Sequence, residues 1–385
     1  MAPELTITNR MERSRWHGQG KEINADTIDE ILEQAGMNWT VSKRPIVTTH
    51  AIPEKTKEGN PELMSFDGTK NMGDFRCSVN ELIKNPTNEE IRKEVVRLFD
   101  ETNWEYIPHT NEFSIVRNDI NVPFTTMGRI YECLSNRTCI EMLEPLLKEG
   151  KCIIERAGTF NDGANCWIVA KLPDRLEVAP GETVDQYIKL SWSHDGSEKL
   201  SATFICLVEK DNIQFSPKVS AADTSIEIRH TTNAQKRIEI ATNLFQKGQT
   251  YFKQVEELLG SLVTSVWTEK DMEKYLEALL PESTDNHPDA HGYVKESQKA
   301  RKRNEIMSIF SDNNSSTGHT KYSAYTAVVQ HCDHNKTIKI PKKKQENKSE
   351  GELITLRNES HLMGIWLKSG SGRKMKDRAL NLIIK

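Results

Sequence analysis

Long apolar runs are missing from this 385-residue chain. Nothing in it approaches the roughly 20 consecutive apolar residues that a membrane helix needs, so a helical membrane span is not expected. Cysteine is present but unorganised: seven residues, an odd number, with no Cys-x-x-Cys pair. That pattern supports neither a zinc ribbon nor a disulfide framework, and several of the thiols sit inside apolar runs, where they act as small hydrophobes. Aromatic residues make up 7% and apolar residues 36%, against 28% charged, which describes much surface around a modest core. A phosphate loop ending in Gly-Lys-Ser/Thr is absent, and no cluster of carboxylates has the spacing for two-metal chemistry. Met1-Ala2-Pro3-Glu4-Leu5 has no charged-then-apolar leader, so a cytoplasmic location is expected.

What the chain does have is two hairpin signals in succession. Ile153–Arg156 and Cys166–Lys171 flank Asn161-Asp162-Gly163, and Tyr187–Trp192 and Leu200–Leu207 flank His194-Asp195-Gly196-Ser197. Asp-Gly between β-branched and aromatic runs favours a tight turn, because Gly accepts the positive φ it demands. The pair predicts an antiparallel meander from Ile153 to Val208. A second regular pattern follows: Ile238, Ala241, Phe245, Gly248, Phe252, Val255, Leu259, Leu262 and Val266 recur in steps of three and four. It predicts one long helix from about Arg229 to Trp267, whose apolar seam docks on the chain's own sheet or pairs with a second copy in a homo-oligomer.

Around these, residues 24–36 read as a helix capped by Asn24 or Asp26 and stopped by Gly36, and Trp39–Thr49 as a strand. Asn88–Phe99 reads as a helix, and Phe113–Val116 with Asn121–Phe124 as a hairpin across Asn118-Asp119. Thr268 caps a helix to Leu280, Lys321–His334 reads as another, and Lys376–Lys385 as a last one, whereas Pro341–Gly351 reads as disordered. The expected fold is α+β, an antiparallel sheet packed by a long helix, with a mostly helical C-terminal part. The expected organisation is a core over 1–281 carrying an insertion at 55–112, a polar linker at 282–304, and a helical region over 305–385 with a basic tail.

Charge is uneven. From Thr337 to Lys385 there are 12 Lys and Arg against 5 Asp and Glu, a balance of +7, which leaves −11 for the rest of a chain whose net charge is −4. A basic tail on an acidic body is a handle for phosphate or simply a solvated end.

Chemistry-bearing residues are few. Ser193-His194-Asp195 has the residue types of a hydrolytic triad, but neighbours on a turn point apart, and Asp195-Gly196 is fully explained as turn chemistry. His331-Cys332-Asp333-His334 offers ligand types without a partner cluster, so neither a metal nor another cofactor is expected. The meander interleaves rings and cations in a way that suits single-stranded nucleic acid, since stacking tolerates any base. Arg229, Lys236 and Arg237 crowd the start of the long helix, where the dipole disfavours cations unless an anion joins them. The expected contact set is Arg156, Lys171, Lys199, Arg229, Lys236 and Arg237 to phosphates, Trp192 stacking a base, and His194 at the hairpin tip. Core packing of Trp192 and Trp167, and ordinary ion pairing of the cations, are the competing readings.

Several segments together resemble the phage/plasmid-like proteins built on domain of unknown function 932. They are Trp16-His17-Gly18-Gln19-Gly20, Ala35-Gly36-Met37-Asn38-Trp39-Thr40-Val41, Glu155-Arg156-Ala157-Gly158-Thr159-Phe160, Ser193-His194-Asp195-Gly196, Arg229-His230-Thr231 and Gly318–Val328. Two departures stand out: the insertion at 55–112, and Glu209-Lys210-Asp211-Asn212 where relatives carry a Cys-Gln-Asn run. The resemblance implies a mobile-element protein in a bacterial host. A meander followed by a long helix is also broadly the arrangement of phage single-strand annealing recombinases, an analogy of fold alone. The expected function is therefore binding or annealing of single-stranded DNA without catalysis, and the alternative is an anti-defence protein that binds a host protein.

Overall fold

The computed structural model describes residues 15–51, 104–219, 225–227, 234–281, 296–312, 317–336, 340, 345, 348–367 and 370–385. Two compact units are present: 1–41, 117–121 and 134–385 form the first, and 42–116 with 122–133 the second. The second contains a three-stranded sheet in the order β2 (Val41–Ala51), β3 (Trp104–Arg117) and β4 (Val122–Gly128). The expected hairpin falls at the β3–β4 turn, with longer strands than the apolar runs suggest. The expected helix over 88–99 lies outside the described residues.

In the first unit, a short 3-10 turn (Arg15–Gly18) leads into β1 (Lys21–Glu22) and α1 (Ile28–Ala35). Thr27, not Asn24 or Asp26, caps α1 by accepting from the Glu30 N–H, and Gly36 closes it at φ +67°, a conformation that suits Gly. After α2 (Asn136–Ile140) and α3 (Glu144–Lys148) comes the meander: β5 (Ile153–Phe160), β6 (Asn165–Ala179), β7 (Glu182–Ser193) and β8 (Ser201–Val208). It is antiparallel throughout, in the order β1-β5-β6-β7-β8-β10, and β9 (Ile213–Phe215) and β10 (Ser225–Glu227) both pair with β8.

Nearly every residue of β7 is buried, which requires cover on both faces of the sheet. Alternation assigns the faces. Ile168, Ala170, Ile188, Leu190 and Phe204 turn to α4 (Ala234–Thr264), the long helix, where Phe204 packs edge-on against Phe252 and stacks on Tyr251. Gly248 sits where an added Cβ would lie 3.0 Å from the Phe204 ring, so its place on the seam is set by close approach. The seam thus docks on the chain's own sheet.

Trp167, Val169, Tyr187, Ile205 and Leu207 form the other face and join Trp16, Phe160, Leu362 and Ile365 in one cluster. Leu362 and Ile365 come from α8 (Glu350–Trp366), part of a helical layer with α5 (Glu269–Leu279), α6 (Glu296–Ser311), α7 (Lys321–Gln330) and α9 (Ser371–Ile383). Residues 322–329 of α7 are all buried, the mark of a helix enclosed by its neighbours. Fully burying side chains of this size stabilises by about 1.5–3 kcal/mol each.

Two segments depart from expectation. The stretch 282–304 is not linker throughout, because α6 begins at Glu296 and carries the basic cluster. Lys299 and Arg303 donate to the Pro281 and Leu280 carbonyls at the end of α5, a favourable place for cations. The end of 341–351 is ordered too: Ser349 forms a capping box with Glu352 and starts α8.

Candidate functional site

Among the described residues, those expected to bind DNA do not converge. Arg156 pairs with Glu22 at 2.8 Å and donates to the Gln19 carbonyl, Lys171 pairs with buried Asp185 at 2.7 Å, and Lys199 pairs with Glu227 at 2.9 Å. Lys171 faces Tyr187 in the register while Lys199 lies beyond the Ser191–Ser201 pair, so roughly 13 Å or more of strand separates them. Lys236 is exposed on α4, Arg237 contributes its backbone to the same helix, and Arg229 is outside the described residues.

Trp192 and His194 are corrected more sharply, since both are interior and offer no surface to a base or a phosphate. They meet at Asn136, itself 2% exposed, whose Oδ1 accepts from Trp192 Nε1 at 3.1 Å and lies 2.9 Å from His194 Nε2. Asn136 Nδ2 in turn donates to the Met37 carbonyl at 3.0 Å, and Trp39 stands edge-on to His194. Burial pushes the His194 pKa down to about 4, so the ring is neutral at pH 7 and donates from Nε2. Ser193 Oγ is held by the Glu198 backbone on both sides, and Asp195 accepts from the Ser197 N–H. The triad residue types therefore serve the turn and the core.

A different set of polar groups comes together beneath the C-terminal helical layer. At one end Tyr187 donates to Glu155 at 2.6 Å, and Trp16 Nε1 and Arg15 also reach Glu155. Fully buried Asp185 is ringed by Lys171, Arg175 and Arg15, and Glu209 receives both arginines. Three cations against three carboxylates make this end close to neutral. Burial and then the Glu155 hydrogen bond hold the Tyr187 hydroxyl well above the usual range.

Beside it lie three histidines from distant segments. His17 stacks on His361 with ring centroids 4.6 Å apart and stands 6.0 Å from His334. Trp16 and His17 both adopt positive φ, at 56° and 52°, a strain that costs of order 1–3 kcal/mol per residue and is held by burial of both side chains. His361 Nε2 reaches the Cys332 carbonyl at 2.8 Å and His334 Nε2 the Asp211 carbonyl at 2.9 Å, so each ring presents its Nε2–H there. Burial first, then the neighbouring imidazoles, lowers the His17 pKa well below its ordinary value. His331 and His334 do not share a site: His331 faces Glu305, and burial pushes it down to about 4. Among the described residues no group of three or more His, Cys, Asp and Glu is arranged to hold a metal ion.

The third neighbourhood is cationic. Asp333, in a π-helical turn (His331–Asn335) that extends α7, pairs with buried Lys376 and accepts from the Gln214 N–H at 2.8 Å. Gln214 Oε1 accepts from Trp366 Nε1, and Arg373 donates to the Ser216 carbonyl. Lys189, 4% exposed in the middle of β7, holds its ammonium 4.9 Å from the Trp366 ring. Burial pushes its pKa down to about 8, with Glu198 opposing and Arg373 adding to the shift.

Sequence reasoning passed over most of these groups. One signal was legible: alternation puts Asp185, Tyr187 and Lys189 on the face of Trp167 and Val169, a polar stripe on an otherwise apolar surface.

The description "Domain of unknown function (DUF932)" matches residues 123–354, from β4 to the first turn of α8. No curated protein and no solved structure matches the chain. The match takes in the meander, the long helix and the π-helical turn but neither Arg15–His17 nor the His361–Lys376 segment, so the polar layer joins residues inside and outside it. Covering more than half of the chain, it shows that the protein belongs to the family of domain of unknown function 932.

Proposed function

We propose that this protein acts by binding rather than by catalysis, and that its partner is a bacterial host protein, in the manner of a mobile-element anti-defence factor. The observation that carries the reading is the state of the cations on the meander. Each of Arg156, Lys171 and Lys199 is ion-paired to a carboxylate, and helices cover both faces of the sheet, so no cationic strip with open rings is left there for a polynucleotide. The −11 carried before the basic tail favours a protein surface over phosphate as well. In the second unit β4 has no fully buried residue, Val122, Phe124 and Met127 are half-buried, and Ile130 is 95% exposed. A unit that leaves such groups open is suited to completing its burial on a partner.

The test is affinity purification from host lysate with nuclease added, using wild type and Ile130→Glu. A protein retained after nuclease and lost with the variant supports the reading. Loss of every partner on nuclease treatment, together with retardation of a single-stranded oligonucleotide, overturns it. Single-stranded DNA stays as a second reading on one observation, the +7 balance from Thr337 to Lys385, and it requires binding that weakens steeply with salt.

A further inference from the structure

We propose that the pocket around Lys189, between β7–β9 and helices α8 and α9, is a binding site for a compact oxyanion of the phosphate class, with the Lys189 ammonium as its anchor. The inference is independent of the partner reading above. It begins with an inventory of donors and acceptors. Three cations line the pocket, Lys189, Arg373 and Lys376. Arg373 pairs with Asp377 at 3.2 Å and Lys376 with Asp333, whereas Lys189 has neither a hydrogen bond nor an ion pair among the described residues. The charge left after pairing is that of Lys189 alone.

The amide and carbonyl acceptors of Gln214 and Ser216 are already engaged. Gln214 Oε1 takes the Trp366 indole N–H, the Gln214 carbonyl takes Lys376, and the Ser216 carbonyl takes Arg373. The donors are not: the Lys189 ammonium carries three N–H groups, the Gln214 amide nitrogen two and the Ser216 hydroxyl one, none with an acceptor among the described residues. A pocket with surplus donors and one surplus positive charge, its Asp377 carboxylate engaged by Arg373, is complementary to an anion that only accepts. The contact with the Trp366 ring gives the ammonium a cation–π partner but satisfies none of its N–H groups.

Size narrows the class. The void is about 10 Å³, room for one water-sized group, and it is only partly enclosed. A sugar or a base does not fit. One oxygen of a phosphate or sulfate does, with the rest of the tetrahedral group at the mouth. Its placement next to half-buried Trp366 and mostly buried Arg373 keeps the local dielectric low, where a charge-assisted hydrogen bond is strongest.

The test uses the full-length protein and its Lys189→Met variant, which keeps the side-chain volume and removes the charge. Thermal unfolding is followed against sodium phosphate and sodium sulfate, with sodium chloride at matched ionic strength. The expected result is a saturable rise in Tm for wild type that is lost in Lys189→Met, where only the gradual stabilisation by excluded salts is left, common to both proteins. A saturable response of equal size in both proteins, or none in wild type, overturns the proposal. Should Lys189→Met not fold, sulfate binding by wild type decides, because sulfate keeps its charge across the range. Its affinity falls at least tenfold as pH rises past 8 and Lys189, among Glu198, Arg373, Lys376 and Asp377, loses its proton; a flat profile overturns the proposal. A thymidine oligonucleotide separates the sources of phosphate. Displacement of the oligonucleotide by inorganic phosphate marks a phosphodiester ligand, and phosphate binding without oligonucleotide binding marks a free anion.

Discussion

Replacing Asn136 by Ala tests how the meander is fixed to the N-terminal segment. One amide oxygen serves two buried donors, Trp192 Nε1 and His194 Nε2, and the amide nitrogen serves the Met37 carbonyl. Ala removes the acceptor that both donors share in an enclosed site, and each buried group left unsatisfied costs about 1–3 kcal/mol. Because the two share one acceptor their costs are not independent, and the expected total is about 3–5 kcal/mol. Equilibrium urea denaturation at pH 7 measures it, the variant shifting in midpoint at unchanged slope. Adding Trp192→Phe should recover part of the loss, since the orphaned indole N–H is then gone. A cost below about 1 kcal/mol for Asn136→Ala, at the same slope, would refute the assignment of Asn136 as the junction.

Other expectations follow from the same interior. His194 and His331 are each held near pKa 4 by burial against an ordinary 6.5, so the unfolded chain takes up protons near 6.5 that the folded chain refuses until about 4. Stability should therefore fall as pH drops through that window, by about 3 kcal/mol per histidine at its lower end, and urea midpoints at stepped pH will show it. Lys189 gives a slope of the same sign at higher pH: with a folded pKa of about 8 against 10.5, its penalty is fully present below pH 8 and is relieved as pH rises toward 10.5. Lys189→Met should abolish that upward slope and, without added anion, melt no lower than wild type at pH 7. Gly248→Ala should change stability by less than about 1 kcal/mol, a gain in helix propensity offsetting the 3.0 Å approach to Phe204. Gly248→Val should cost about 1–3 kcal/mol in the same assay, by overpacking the seam.

The strands and the long helix were readable because their signals are local. Asp162-Gly163 and Asp195-Gly196 mark turns, and the three-and-four spacing from Ile238 to Leu262 marks a helix face whatever it later packs on. Helix α8 was not readable in the same way. Between Glu350 and Trp366 only Leu362 and Ile365 are buried, too few to set a clear stripe. The misassigned site has a different cause. Alternation correctly separates the two faces of β7, but whether Lys189 and Trp192 face water or protein is decided by α8, α9 and Asn136, which lie far off in the chain. Likewise Asp333 receives the Gln214 N–H across 119 positions, and Lys376 reaches the Gln214 carbonyl across 162. No local pattern encodes such pairs. Cations that look available in sequence order are ion-paired in space, as Arg156 with Glu22 shows.

Tryptophan fluorescence during titration with a single-stranded thymidine oligonucleotide, in wild type and Trp192→Phe, tests most directly whether the meander is interior structure or a binding platform. With Trp192 fully buried and bonded to Asn136, the two proteins should show no difference in quenching at any salt concentration. Saturable quenching in wild type that weakens steeply with salt and disappears in Trp192→Phe would contradict the account.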